Sequence, residues 1–426
     1  MQRKKNKSSF YIHFSIAMLI NLMFIHSAIA YTFDQQFKTL VEHTLPNVAV
    51  GLVIQDAKTG KMLYSSRAYE GFTPASTMKL FTAAAALEYL KPDYAFETRL
   101  DYDKTQVHNK CLKKDLILTF TGDPTFTSHD LNKMFERLKN SGIHKLCRIV
   151  VDHSRFETPH YAPGWTIDDV QWSYGAPISA IIIDGNKSRK AAVKDPQQLA
   201  SNRIKEALSA AKINLQGGIS FSKRNIHFNH EHNKSIIHYS DDLDTIVKHT
   251  LVHSNNLAAE ALLKTLGYYY YNKGNFQDGV LATQAILAPI TGIDFTKMRV
   301  HDGSGISHYN CLCPDHLSRL LFSMYHHTEL NTLFMDSLPI SGKTGTLKKR
   351  LQAQDHQGFL LAKTGTLNGK SALAGYLKYH PKKFSTKTLI MVIMINQSIA
   401  PAADIKKLED NIVNLILHHP EFALNT

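Results

Sequence analysis

The chain has 426 residues, with 43% hydrophobic and 20% charged positions and a formal net charge of +13. That length gives two or three domains with a substantial core. Past the N-terminal segment no stretch is long and apolar enough to cross a bilayer, and no internal repeat or low-complexity tract occurs. The positive charge suits an anionic polymer surface, while lysines scattered along the chain speak against nucleic acid.

In chain order, residues 1–30 read as a secretory signal. Arg3, Lys4, Lys5 and Lys7 precede an apolar run, and Ala28-Ile29-Ala30 offers a cleavage site after Ala30. Export to the periplasm is the expectation, with at most peripheral membrane association. Runs 48–54 and 62–66 are apolar and flank the turn-like Asp56-Ala57-Lys58-Thr59-Gly60, which predicts a β-hairpin. A helix starts near Ser76 and stops before Pro92. From about 94 to 238 short strand-like runs (116–120, 149–151, 178–183) alternate with Gly, Pro, Asn and Asp, the texture of a mostly β insertion.

Helical periodicity returns at 243–251 and 256–266. Strands are expected at 359–366 and 371–379, flanking the hairpin signal Asn368-Gly369, and at 388–395. An amphipathic helix at 405–417 carries both charge signs on its polar face, which favours core packing over membrane anchoring. The expectation is an α+β protein: an antiparallel sheet built from both chain ends, with a discontinuous domain of 31–93 and 240–426 and an insertion of 94–239.

Three segments carry chemistry. In Ser76-Thr77-Met78-Lys79 the hydroxyl and the amine lie three residues apart, so one helix face brings them together. As a helix cap the pattern is poor, because a capping box wants Glu or Gln where Lys79 stands, at the positive end of the helix dipole. That field, combined with burial, lowers a lysine pKa and makes it a base. Ser-x-x-Lys is the nucleophile motif of penicillin-recognising serine hydrolases.

Such a site also needs a proton relay and oxyanion donors. Ser254-Asn255-Asn256, between two helical segments, offers the relay, although Asn/Ser pairs also serve as caps. Lys363-Thr364-Gly365-Thr366 lies on a predicted strand. There Lys363 and Thr364 would hold a substrate carboxylate, Gly365 admits close approach, and the N–H groups of Ser76 and Thr366 would form the oxyanion hole. A second Lys-Thr-Gly, at Lys343-Thr344-Gly345, sits in a loop context, and Lys363 is preferred.

With these motifs the chain resembles the D-alanyl-D-alanine carboxypeptidase/endopeptidase family of low-molecular-mass penicillin-binding proteins (class C, PBP4-like, peptidase family S13). Further matches run through most of the chain, in order. They include Thr121-Gly122-Asp123-Pro124-Thr125-Phe126, Ala162-Pro163-Gly164-Trp165, Tyr174-Gly175-Ala176-Pro177 and Asp302-Gly303-Ser304-Gly305-Ile306-Ser307. The resemblance implies a penicillin-binding/serine β-lactamase-like transpeptidase fold, with helices on both sides of the sheet. It also implies an acyl-enzyme on Ser76, peptidoglycan stem peptides as substrate, β-lactams as covalent inhibitors, and no metal or other cofactor. Asp169 would meet the amino group of the peptide's diamino acid. A homodimer is compatible with this reading. The alternatives are a cell-wall-binding module without turnover, or a β-lactamase.

The four cysteines allow two disulfides, and proximity suggests Cys111 with Cys147 and Cys311 with Cys313. His308, Cys311, Cys313 and His316 invite a zinc reading, but Cys-x-Cys is tighter than the usual structural-zinc spacing.

Overall fold

A computed structural model describes residues 32–226, 231–352, 358–379 and 387–422. The predicted signal segment lies outside the described residues.

Both ends of the chain meet in one antiparallel sheet. Its five strands run in the order Leu360–Leu367, Lys370–Tyr379, Lys387–Asn396, Ala49–Asp56, Met62–Ser66. The period-2 geometry of a strand assigns its apolar residues to two cores. Val50, Leu52 and Ile54 pack with Ile405, Leu408 and Ile412 of the C-terminal helix Ala402–His418. Ala49 and Val53 face the other way, onto the helical cluster around Leu80 and Phe81. Both faces of the central strands are therefore buried, which is why Lys387–Asn396 reads as one continuous apolar run. The helix Lys79–Leu90 is buried nearly all round through Ala83, Ala84, Ala85 and Ala86, so it lies inside the molecule.

Residues 97–239 carry a separate mixed sheet. Its path is Ile219–Ser222, Lys145–Asp152, Cys111–Thr119, Glu97–Asp103, Asn233–Tyr239, parallel over the first three and antiparallel thereafter. Two helices that the strand-like texture hides, Ser128–Asn140 and Pro196–Ala210, cover it through Leu131, Phe135, Ala200 and Ile204.

The run 178–183 is not a strand. It is fully buried, with Ile181 and Ile183 in the core of this second sheet and Ile178, Ala180 and Ile182 in a cluster with Leu257, Leu263 and Phe276. Its backbone is satisfied singly rather than by a ladder: the Asn186 amide donates to the carbonyls of Pro177 and Ile181, and Gly122 N–H donates to that of Ala180. An apolar run of this length carries no signal that separates a strand from a buried connector between two cores.

The cysteine expectation also fails. All four are free thiols. Strand register sets Cys111 opposite Lys145, short of Cys147. Cys311 lies against Gly71, and Cys313 is buried at the start of the helix Pro314–His326, where the chain leaves the extended segment.

Helices Asn256–Tyr271 and Phe276–Thr291 approach closely where Gly279 crosses Leu263, so that a Cβ at 279 would collide with the Leu263 carbonyl. Alanine gains about 1 kcal/mol of intrinsic helix propensity over glycine, whereas forcing an extra methyl into a packed contact costs about 1–3 kcal/mol. Gly279→Ala is therefore expected to lower the denaturation midpoint in a urea titration. An unchanged or raised midpoint would show that the helix pair yields freely.

Candidate active site

Ser76 opens the helical segment from a strained start. Ala75 before it is left-handed at φ 46° and fully buried, a conformation that costs a non-glycine residue on the order of 1–3 kcal/mol. Packing holds it there. A Cβ on Gly305 would strike the Ala75 carbonyl, and one on Gly365 would come within 3.0 Å of both the Ala75 Cβ and the Ser76 nitrogen. A single 3₁₀ turn, Ala75–Met78, then hands the chain to the helix that begins at Lys79. The amine of Lys79 lies 2.8 Å from Ser76 Oγ, as the three-residue spacing predicts.

A second strained residue positions the next pair. Helix Leu243–His253 ends at Ser254, left-handed at φ 56° and ψ 44°, and Asn255 caps the following helix by accepting from Ala258 N–H at 3.2 Å. One residue thus reverses the chain. It aims Ser254 Oγ at Lys363 Nζ, 3.0 Å away, and Asn256 Oδ1 at Lys79 Nζ, 2.6 Å away. The other side of the Asn256 amide donates to the Tyr174 carbonyl at 3.0 Å.

Lys363 comes from the edge strand Leu360–Leu367 and is fully buried; it also donates to the Thr364 carbonyl at 2.8 Å. Thr366 lines the same cleft of about 610 Å³ as Ser76, Ser254, Asn256 and Asp169. The structure therefore brings Ser76, Lys79, Ser254, Asn256 and the Lys363–Thr366 strand into one place. Asp169 stands on the cleft wall, its carboxylate accepting from Thr166 N–H and Oγ1 at 3.0 and 2.7 Å and from the Tyr174 hydroxyl at 3.1 Å. Two oxygens with about four acceptor sites keep capacity for a further donor.

Burial governs the electrostatics. It pulls the Lys79 amine down to about 7, against the opposing charges of Glu260 and Asp302. Lys363 is held well below the ordinary lysine range, first by burial and then by repulsion from Lys79.

Four contributors have no site role assigned from the sequence. Glu260, one turn along from Asn256, accepts from the N–H groups of Gly303 and Ser304 at 2.9 and 2.7 Å. Burial, then Asp302, pushes its carboxyl up to about 8. The carbonyl of Ser304 takes a bond from Lys79 Nζ at 2.6 Å. Asp302 accepts from Ser307 N–H and from Trp165 Nε1, tying the loop to the segment that carries Asp169. The fourth, Thr346, follows the second Lys-Thr-Gly: Lys343 is exposed, but Thr346 Oγ1 meets Thr364 Oγ1 at 2.8 Å. The i, i+4 spacing of Asn256 and Glu260 was the available signal for the first of these. In the Cys/His cluster, Cys313 N–H donates to His316 Nδ1 at 3.2 Å as a helix cap, and His308 lines the cleft.

A serine hydroxyl bonded to a fully buried lysine, on an antiparallel sheet with helices on both sides, defines the class of penicillin-recognising serine hydrolases. The sequence pattern of the D-Ala-D-Ala carboxypeptidase 3 (S13) family matches residues 38–191 and 185–417, and the chain belongs to this family of D-Ala-D-Ala carboxypeptidases. It is 26% identical over 416 residues to a D-alanyl-D-alanine carboxypeptidase of Actinomadura sp. strain R39, covering 79% of this chain and 77% of that one. It is 26% identical over 400 residues to D-alanyl-D-alanine carboxypeptidase DacB of Haemophilus influenzae, covering 77% and 82%. The crystal structure of penicillin binding protein 4 (dacB) from H. influenzae superposes with a TM-score of 0.81 at 24% identity, over 90% of this chain and 99% of that one. A second structure of that protein holds a β-lactam.

Glu260→Ala removes the acceptor of two buried N–H groups, each costing about 1–3 kcal/mol when left unpaired. A clearly lowered melting temperature is expected, with Glu260→Gln, which keeps one acceptor oxygen, falling between the variant and the parent. Equal melting temperatures for Ala and Gln would show that the Asp302–Ser307 loop does not depend on this carboxylate.

Proposed function

We propose that Ser76 is the nucleophile with which this chain cleaves D-alanyl-D-alanine termini, and that Lys79 is its base. The supporting observation is the Lys79 amine: fully buried, 2.8 Å from Ser76 Oγ, with its pKa near 7. The neutral amine accepts the Ser76 proton as Oγ attacks the carbonyl of the penultimate D-Ala. The N–H groups of Ser76 and Thr366 receive the oxyanion. Lys363 and Thr364 hold the carboxylate of the departing residue. The proton taken up by Lys79 is relayed by way of the Ser254 hydroxyl, itself bonded to Lys363, to the leaving nitrogen, so that Lys79 ends neutral and Ser254 keeps its own complement, and Asn256 orients the peptide. Water then releases the acyl group from Ser76.

Asp169, with acceptor capacity left, takes the ammonium of the stem peptide's diamino acid. Cross-linked peptides use the same steps with a second stem peptide as the leaving group. β-Lactams acylate Ser76, a reading supported by the β-lactam held by the H. influenzae protein. The peptidase domain is discontinuous, 31–93 with 240–426, and 94–239 is its insertion. Residues 1–30 direct the chain to the periplasm, with cleavage after Ala30. Among the described residues no helix is long and apolar enough to cross a membrane.

Ser76→Ala is expected to abolish covalent labelling by a fluorescent penicillin while leaving the circular dichroism spectrum intact; a labelled alanine variant would refute the assignment. Lys79→Met should lower the acylation rate by about 10²–10⁴, the worth of a positioned base.

The pH dependence follows from the two amines. Lys79 must be neutral, and its folded pKa is lowered, so acylation rises as pH climbs through about 7. Lys363 must be charged when it holds a carboxylate, so activity falls again before the ordinary lysine range is reached. A rate profile that stays flat from pH 5 to 8 would exclude Lys79 as the base.

A further inference from the structure

Next to the cleft, and sharing Ser76, Ser254 and Thr366 with it, is a smaller cavity of about 200 Å³ whose lining adds Thr346, Thr364, Arg350 and Lys406. Its hydroxyl groups come from the residues around which the departing amino acid must sit. Among the described residues its charged lining consists of these two cations.

Arg350 is held rigidly there. Nε and Nη2 both donate to Asp410 Oδ1, at 3.0 and 2.7 Å. Nη2 also donates to the Lys406 carbonyl at 3.2 Å and pairs with the buried Glu409 at 2.9 Å. Its side chain is 11% exposed, and Nη1 has no hydrogen-bond partner among the described residues. Two N–H donors therefore remain on a guanidinium whose other edge is fixed by carboxylates. A planar, pre-ordered fork of this kind suits a carboxylate better than a mobile lysine does.

We infer that Arg350 is a specificity-determining residue. It contributes the second cation, after Lys363, that recognises the carboxylate on the carbon bonded to the leaving nitrogen, with Thr346 and Thr364 completing the pocket. The inference rests on the reading of Ser76 as nucleophile. It extends the recognition beyond the Lys-Thr-Gly strand to the helix Ala402–His418, whose Glu409 and Asp410 set the guanidinium. A purely structural Arg350 would pin that helix and nothing more.

The test compares acylation by benzylpenicillin with acylation by its methyl ester, which lacks the carboxylate, followed by mass spectrometry. The variants are Arg350→Lys and the double variant Arg350→Gln with Glu409→Gln, which removes the guanidinium without stranding a buried carboxylate. The acid-to-ester ratio of second-order rate constants is expected to fall by roughly ten- to a hundredfold, the worth of one hydrogen bond to a charged group, while the ester rate stays within about twofold of the parent. Equal losses on acid and ester would overturn the inference in favour of a structural role, and so would an unchanged ratio in a folded double variant. Failure of the underlying reading is separately visible, because Ser76→Ala would then still acquire the acyl mass.

Discussion

The arrangement depends on keeping an amine in a place where an ammonium ion is poorly solvated. Lys79 is fully buried and spends its hydrogen-bonding capacity on Ser76, Asn256 and the Ser304 carbonyl. Moving an ion out of water is expensive unless compensated, and here the compensation is partial. Glu260 and Asp302 pull the amine toward its charged form, burial pulls it away, and burial wins. Each of the three partners of Lys79 comes from a different part of the chain, so the chemistry of one side chain constrains the packing of three segments.

The two strained residues follow from the same constraint. Left-handed Ala75 and Ser254 would each relax if free, yet both are over-determined. Ala75 is trapped between Gly305 and Gly365, and Ser254 lies between a helix end and the Asn255 cap. Strain at such points is sustained by the surrounding core. The buried helix Lys79–Leu90 and the two-sided sheet supply that core from opposite directions. The Asp302–Ser307 loop closes the third side, and the buried Glu260 carboxylate fixes it through two N–H groups.

What could be read in the sequence was local or motif-borne. The spacing of Ser76 and Lys79 fixes their contact through helix geometry alone, and the strand carrying Lys363 announces itself by the Asn368-Gly369 turn. Thr127 and Asp130 form a capping box at the start of Ser128–Asn140, a signal lost among the surrounding turn residues. The parts that stayed hidden are non-local. Glu260 looks like any helical glutamate until Gly303, 43 residues on, folds against it. Arg350 follows two lysines and reads as surface charge, yet Asp410, 60 residues away, buries it. The run 178–183 serves two cores at once, and a buried connector has the same composition as a buried strand.

The paired lysines give the site a further property. Coulomb repulsion is symmetric, so the charge that depresses Lys363 would equally depress Lys79 once Lys363 is protonated. Burial disfavours the charged form of both amines. A carboxylate seated beside Lys363 changes the balance, because an anion within a few ångströms favours the ammonium form of its neighbour. The proton then belongs on Lys363, and the resulting positive charge pushes Lys79 further toward the neutral amine that a base must be. Under the proposed assignment, the group that identifies the substrate also readies the base that attacks it. Lys363 meets Ser254 and Lys79 meets Ser76, and charges on two fully buried amines are screened far less than surface charges.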